Sequence, residues 1–143
     1  MRMLAEIAGE HGVNVILEPL GPMYSNYINT LPEAVRVIRE AGMTNLFTMA
    51  DLRHMVRAKE PFSDIVSCAD YVRHIHVDYP LSYPDCPFPK ADDDFDYTGF
   101  LDAIKESGYQ DTVTVEAGFP EDWERAYRDA RRVLRDVSFS SLP

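Results

Sequence analysis

The sequence predicts an α/β fold in which four parallel strands alternate with helices. Three observations lead there. A helical stretch, a glycine and a β-rich run recur in that order along the chain. The β-rich runs are apolar on nearly every residue, as in parallel strands covered on both faces. Each run ends on a side chain that can bind a metal or handle a proton: Glu18, Asp51, His76 or Glu116.

The first unit is a helix over residues 1–11, then Gly12 and a strand at 13–18. The second opens with Leu31-Pro32-Glu33-Ala34-Val35, which places a proline and an acid in a first helical turn, where both are favoured. Val35 and Ile38 carry the helical spacing on to Ala41, Gly42 stops it, and a strand follows at 45–50, ahead of Asp51. The third unit lacks the glycine; its strand is 71–77. The fourth is a helix over 98–107 built on Phe100, Leu101 and Ile104, then Gly108 and a strand at 112–116. Glycine after a helix accepts the left-handed conformation that ends it. A last helix over 123–137 is charged on one side and carries Ala126, Ala130, Val133, Leu134 and Val137 on the other. The longest irregular stretch is 79–96, with Pro80, Pro84, Pro87, Pro89 and the run Asp92-Asp93-Asp94. It reads either as a functional loop after the third strand or as a solvated acidic loop.

Composition narrows the function classes. A chain of 143 residues corresponds to one domain, residues 1–143. Its 24 acidic against 14 basic residues give a net charge of −10, which repels phosphate backbones and argues against a nucleic-acid partner. A hydrophobic content of 45% argues against a disordered chain. No apolar run approaches the ~18 residues of a membrane helix, and Met1 to Gly12 contains no signal-peptide core. Cys68 and Cys86 alone make no disulfide framework. A cytoplasmic protein with no membrane partner is the expectation.

In a parallel α/β barrel the chemistry sits at the C-terminal ends of the strands. Glu18, Asp51, His76 and Glu116 lie there, separated by steps of 33, 25 and 40 residues, about one βα unit each. Three carboxylates and one imidazole form a mostly hard ligand set that suits Mn²⁺, Mg²⁺ or Co²⁺ and accepts Zn²⁺. Three carboxylates crowded together repel one another unless a cation joins them. A single acid at a strand end is commonly a helix cap, and a lone histidine is commonly structural. Four at equivalent places in four consecutive units point to a metal centre. His54, three residues past Asp51 in the loop after that strand, can face the same pocket. His74 shares a strand face with His76 and reads as a packed second layer; His11 reads as an exposed helix end.

Several segments carry a family likeness: Val15-Ile16-Leu17-Glu18-Pro19-Leu20, Asp51-Leu52-Arg53-His54, His74-Ile75-His76-Val77-Asp78, and Gly108-Tyr109 through Val115-Glu116. Tyr27-Ile28-Asn29-Thr30 and Phe95-Asp96-Tyr97-Thr98-Gly99-Phe100 add to it. Over residues 5–135 the chain resembles the xylose isomerase-like TIM-barrel superfamily of sugar (phosphate) isomerases and epimerases. The resemblance implies a TIM-barrel-like parallel (βα)4 half barrel, strands five to eight of a (βα)8 barrel, preceded by a helix. It implies a divalent-metal-dependent sugar or sugar-phosphate isomerase or epimerase, with Glu18, Asp51, His76 and Glu116 as metal ligands. Glu18 and Glu116 match the glutamates that move the substrate proton, and His54 matches a contact to a substrate hydroxyl. The metal would hold adjacent carbonyl and hydroxyl oxygens and acidify the C–H between them.

Two positions depart from the family's ketose 3-epimerases. Tyr24 stands where they carry a glutamate, and Ser82 where they carry an arginine. A related lyase of the inosose dehydratase kind, or a half barrel serving only in assembly, are the alternatives. The superfamily's abasic-site endonucleases need further histidines, and none follows His76. A half barrel leaves strands 13–18 and 112–116 as open edges, so a homo-oligomer is expected.

Overall fold

The computed structural model describes residues 1–82 and 85–135. Its elements, in chain order, are α1 (Arg2–Glu10), β1 (Val15–Leu17), α2 (Leu31–Ala41), β2 (Leu46–Asp51), α3 (Leu52–Ala58), α4 (Ser63–Ser67), β3 (Val72–Val77), α5 (Thr98–Glu106), β4 (Val113–Val115) and α6 (Trp123–Leu134). The four strands form one sheet in the order β1-β2-β3-β4. Every pair is parallel, as the helix–strand alternation requires. The expected extension of the last helix to Val137 lies outside the described residues, as does Pro84 of the irregular stretch.

The glycine stops do what the repeat implies: Gly12, Gly42 and Gly108 have φ of 67°, 66° and 70°. At the other end of α2, the Thr30 hydroxyl accepts from the Glu33 N–H, with proline in the first turn. Two short helices, α3 and α4, fill the stretch between β2 and β3, for which the sequence reading assigns no helix bounds. Asp51 begins α3 by accepting from the His54 N–H at 2.9 Å. Lys59, with φ 55°, ends it in place of a glycine.

The helices cover the outer face of the sheet. Ala50, Ile75 and Val77 pack there against Leu31 and Val35 of α2, Leu52 of α3, Ile65 of α4 and Phe100 and Ile104 of α5. A smaller cluster, Ala5, Ile38 and Leu46, seats α1 against α2 and β2. The inner face differs from the expectation of strands apolar throughout. There β3 presents Arg73, His74 and His76, and on β1 Ile16 is 40% exposed. A register shift between Thr48 and Met49 leaves Arg73 as the extra residue of β3, with its guanidinium 4.8 Å from the Phe47 ring centre. In a half barrel this concave side has no opposite wall, so only the outer face satisfies the rule that parallel strands are buried twice.

Glu60 ties α3 to α2. Its Oε1 accepts from the Leu31 N–H at 2.6 Å, and it is 7% exposed. Burial, with Asp64 nearby, pushes its carboxyl up to about 7. The folded chain therefore holds this proton more tightly than the unfolded chain. The stability it confers is complete below pH 4.5 and is lost as pH rises through about 7. Glu60→Gln should remove on the order of 2 kcal/mol of the decline between pH 4.5 and 8, read as urea midpoints across that range.

Candidate metal centre

The C-terminal ends of the four strands deliver four ligand-type side chains to one place. Glu18 follows β1, Asp51 closes β2, His76 lies near the end of β3 and Glu116 follows β4. One donor atom from each lies within 4.8 Å of all the others. His76 Nδ1 is the hub: it sits 3.1 Å from Glu116 Oε2, 3.5 Å from Asp51 Oδ2 and 3.8 Å from Glu18 Oε1. The outermost strands thus bring Glu18 and Glu116 inward from opposite sides, with Asp51 and His76 between them.

The electrostatics of this cluster suit a cation. Burial, then repulsion from Asp51 and Glu116, lifts the Glu18 carboxyl to about 7. His76 is also pushed above its ordinary value, first by its hydrogen bond to Asp51 and then by the neighbouring carboxylates, which favours its charged form. Glu18 Oε1 is buried with no hydrogen-bond partner. An orphaned carboxylate oxygen among three other donors, all of hard-oxygen or imidazole type, fits a divalent ion.

His54 does not sit in a loop, as its spacing from Asp51 suggested. It occupies the first turn of α3, because Asp51 caps that helix. The expected proximity nevertheless holds. The Gly21 N–H donates to His54 Nδ1 at 3.1 Å, so the neutral ring carries its hydrogen on Nε2. Nε2 faces Glu18 Oε1 at 3.7 Å. Burial lowers the His54 pKa and favours this neutral donor form. His74 packs edge-on against His76, ring centres 4.9 Å apart, as the second layer beneath the cluster. His11 caps the end of α1 in solvent.

Two arginines of α3 organise the rim, and sequence reasoning missed both. Arg53 donates through Nε to Asp78 Oδ2 at 2.5 Å, and through Nη1 and Nη2 to the carbonyls of Asp85 and Tyr79. Arg57 holds the carbonyls of Leu81 and Ser82. The Gly118 N–H donates to the Cys86 carbonyl at 2.7 Å, which joins the segment after β3 to the segment after β4. The acidic run is used internally: Asp93 accepts from the Tyr97 hydroxyl and the Lys90 N–H, and Asp94 from the Tyr79 hydroxyl. Asp92 and Asp94 nevertheless stay exposed, and Asp93 is half-buried. Tyr24 lies edge-on to His54 with ring centres 5.1 Å apart and hydrogen-bonds Arg53. Asp78 was detectable, since it continues the two-residue alternation of His74 and His76 along β3.

The family model described as xylose isomerase-like TIM barrel matches residues 1–137. The chain belongs to this family. Among curated relatives it is 27% identical over 137 residues to the 3-dehydro-D-guloside 4-epimerase of Escherichia coli K12, a match that covers 94% of this chain and 50% of that protein. It is 26% identical over 149 residues to the inosose isomerase of Halalkalibacterium halodurans, again over 94% of this chain and 50% of the relative. The crystal structure of apo 3-keto-D-glucoside 4-epimerase from E. coli superposes with a TM-score of 0.80 at 26% identity, over 94% of this chain and 50% of that one. The D-psicose 3-epimerase of Clostridium cellulolyticum H10, solved with D-tagatose, shares the fold at a TM-score of 0.78 and 20% identity. The chain spans about half the length of the curated relatives it matches. It is thus a xylose isomerase-like (βα)4 half barrel. Among its described residues no helix is long and apolar enough to cross a membrane.

Proposed function

We propose that this chain is the C-terminal half, one domain over residues 1–143, of a divalent-metal-dependent sugar isomerase or epimerase. The observation that carries the reading is the convergence of Glu18 and Glu116, from the two outer strands, on a point shared with Asp51 and His76. The named activities of the relatives, a sugar 4-epimerase, an inosose isomerase and sugar 3-epimerases, support the reaction class.

Glu18, Asp51, His76 and Glu116 would hold Mn²⁺, Mg²⁺, Co²⁺ or Zn²⁺, which supplies Lewis acidity that makes a C–H beside a sugar carbonyl removable. The rest belongs to the chain. His54 offers its Nε2–H to a sugar oxygen and so orients the ring or open chain. Glu18 is placed by β1 at one side of the cluster, where its carboxylate can take and return a proton. Glu116 approaches from the opposite side of the cluster. One glutamate removes the proton and the other delivers it, to the opposite face for epimerisation or to the neighbouring carbon for isomerisation.

The test is deuterium wash-in from D₂O at the carbon next to the carbonyl of a ketose such as D-psicose, with Mn²⁺ present. This registers proton transfer even where net turnover is slow. Glu18→Gln and Glu116→Gln should each lower the wash-in rate by about 10²–10⁴-fold. Unchanged rates in both variants would sink the assignment. Tyr24 and Ser82 favour a second reading, the related lyase, because they replace the glutamate and arginine expected of a ketose 3-epimerase. Loss of water from a keto-polyol, seen as a new enol or dione absorbance, identifies that chemistry instead.

A further inference from the structure

The carboxylate of Asp78 is half used. It is 4% exposed and lines the same cleft as Glu18, Asp51, His54 and Glu116. Oδ2 is held by Arg53, while Oδ1 is buried and has no hydrogen-bond partner. A buried carboxylate oxygen without a donor costs about 1–3 kcal/mol, so its persistence calls for a donor that arrives from elsewhere. Nothing lets the group turn away. Arg53 is itself 4% exposed, and its other contacts are to the carbonyls of Asp85 and Tyr79 and to Tyr24. Asp78 lies two residues beyond His76, just past the end of β3, in the cleft it shares with the cluster. A substrate bound at the cluster and extending outward passes it.

Resting on the reading above, we propose that Asp78 is a substrate-binding residue whose Oδ1 accepts a hydrogen bond from a hydroxyl of the bound sugar, and that the substrate is a non-phosphorylated sugar. The geometry selects a donor, because an ionised carboxylate only accepts. A sugar hydroxyl is a neutral donor of the right kind. A phosphate brings acceptors and negative charge next to Asp78, Asp51, Glu18 and Glu116, while the guanidinium nearest to it, Arg53, is already occupied by Asp78 and two carbonyls. Arg53 is the positioning residue of this pair.

The test uses the Mn²⁺-loaded chain and two probes, D-fructose and D-fructose 6-phosphate, with binding followed by calorimetry after the Mn²⁺ stoichiometry has been measured. Wild type should bind D-fructose at least tenfold more tightly than its phosphate. Asp78→Asn, which keeps the shape and should still take up one Mn²⁺, should bind D-fructose about tenfold more weakly than wild type. Equal D-fructose affinity in Asp78→Asn overturns the assignment of Asp78, as does the absence of D-fructose binding to loaded wild type. Phosphate binding equal to or tighter than that of the free sugar overturns the substrate class, and this comparison needs no variant. Failure of wild type to take up Mn²⁺ is a different result: it removes the metal-centre reading, and this proposal falls with it.

Discussion

Mn²⁺ at pH 8 should raise the thermal midpoint of this chain by about 5–10 °C, and EDTA should reverse the gain. A ligand at a hundredfold excess over its Kd stabilises by about 2.7 kcal/mol, and a domain near this size gains roughly 2–4 °C per kcal/mol. At pH 8 Glu18 is ionised beside Asp51 and Glu116 at an electrostatic cost, because its carboxyl titrates at about 7. A bound cation removes that cost. At pH 5 Glu18 is protonated, the ion must displace that proton, and the gain should shrink. The sign for the metal-free chain follows from the same shift. A carboxyl raised in the folded state loses stability as pH rises from 4.5 through about 7. Glu18→Gln should therefore be more stable than wild type at pH 8 without metal, by on the order of 1 kcal/mol, yet gain little from Mn²⁺. Melting curves at pH 5 and pH 8, with Mn²⁺ or EDTA, give all four comparisons. A full Mn²⁺ gain in Glu18→Gln would show that the ion binds elsewhere.

The 143-residue chain, expressed by itself, should sediment as a dimer. Its sheet ends in two open edges, β1 and β4, and nothing among the described elements pairs with either. Apolar side chains are exposed on the first and last helices. Met3, Leu4 and Ile7 of α1 are 74%, 52% and 53% exposed, and Trp123 and Tyr127 of α6 are 52% and 54% exposed. Such surfaces rarely stay in water. Two copies about a two-fold axis can place β4 of each beside β1 of the other and close a ring of eight parallel strands. Ile7→Glu with Trp123→Glu touches only exposed positions and should return the chain to a monomer. Sedimentation velocity over a hundredfold concentration range decides the matter, and a stable wild-type monomer of 16.3 kDa would refute it.

The strands and the cluster were legible in the sequence because both follow a period. Helix, glycine and strand recur, and all four strands fall within one or two residues at an end of 13–18, 45–50, 71–77 and 112–116. Strand ends are equivalent positions, so Glu18, Asp51, His76 and Glu116 could be aligned without a structure. What escaped has no period. Helices α3 and α4 have 7 and 5 residues, too short to show an apolar stripe, and α3 stops at Lys59 rather than at a glycine. His54 was consequently assigned to a loop. The Arg53–Asp78 pair joins residues 25 apart in a buried contact that neither residue announces alone. The polar inner face of β3 contradicted the expectation of apolar strands because a half barrel covers only one side.

Asp51 serves two masters with its two oxygens. Oδ1 receives the His54 N–H that starts α3, and Oδ2 faces His76 in the cluster. Exchanging the second oxygen for an amide nitrogen can preserve the helix while deleting a charged ligand. One nucleotide change, from an aspartate codon to an asparagine codon, can therefore separate inheritance of the architecture from inheritance of the chemistry. A lineage of such half barrels can drift from catalyst to scaffold without ever passing through an unfolded ancestor, and position 51 is where a genome would record that the step had been taken.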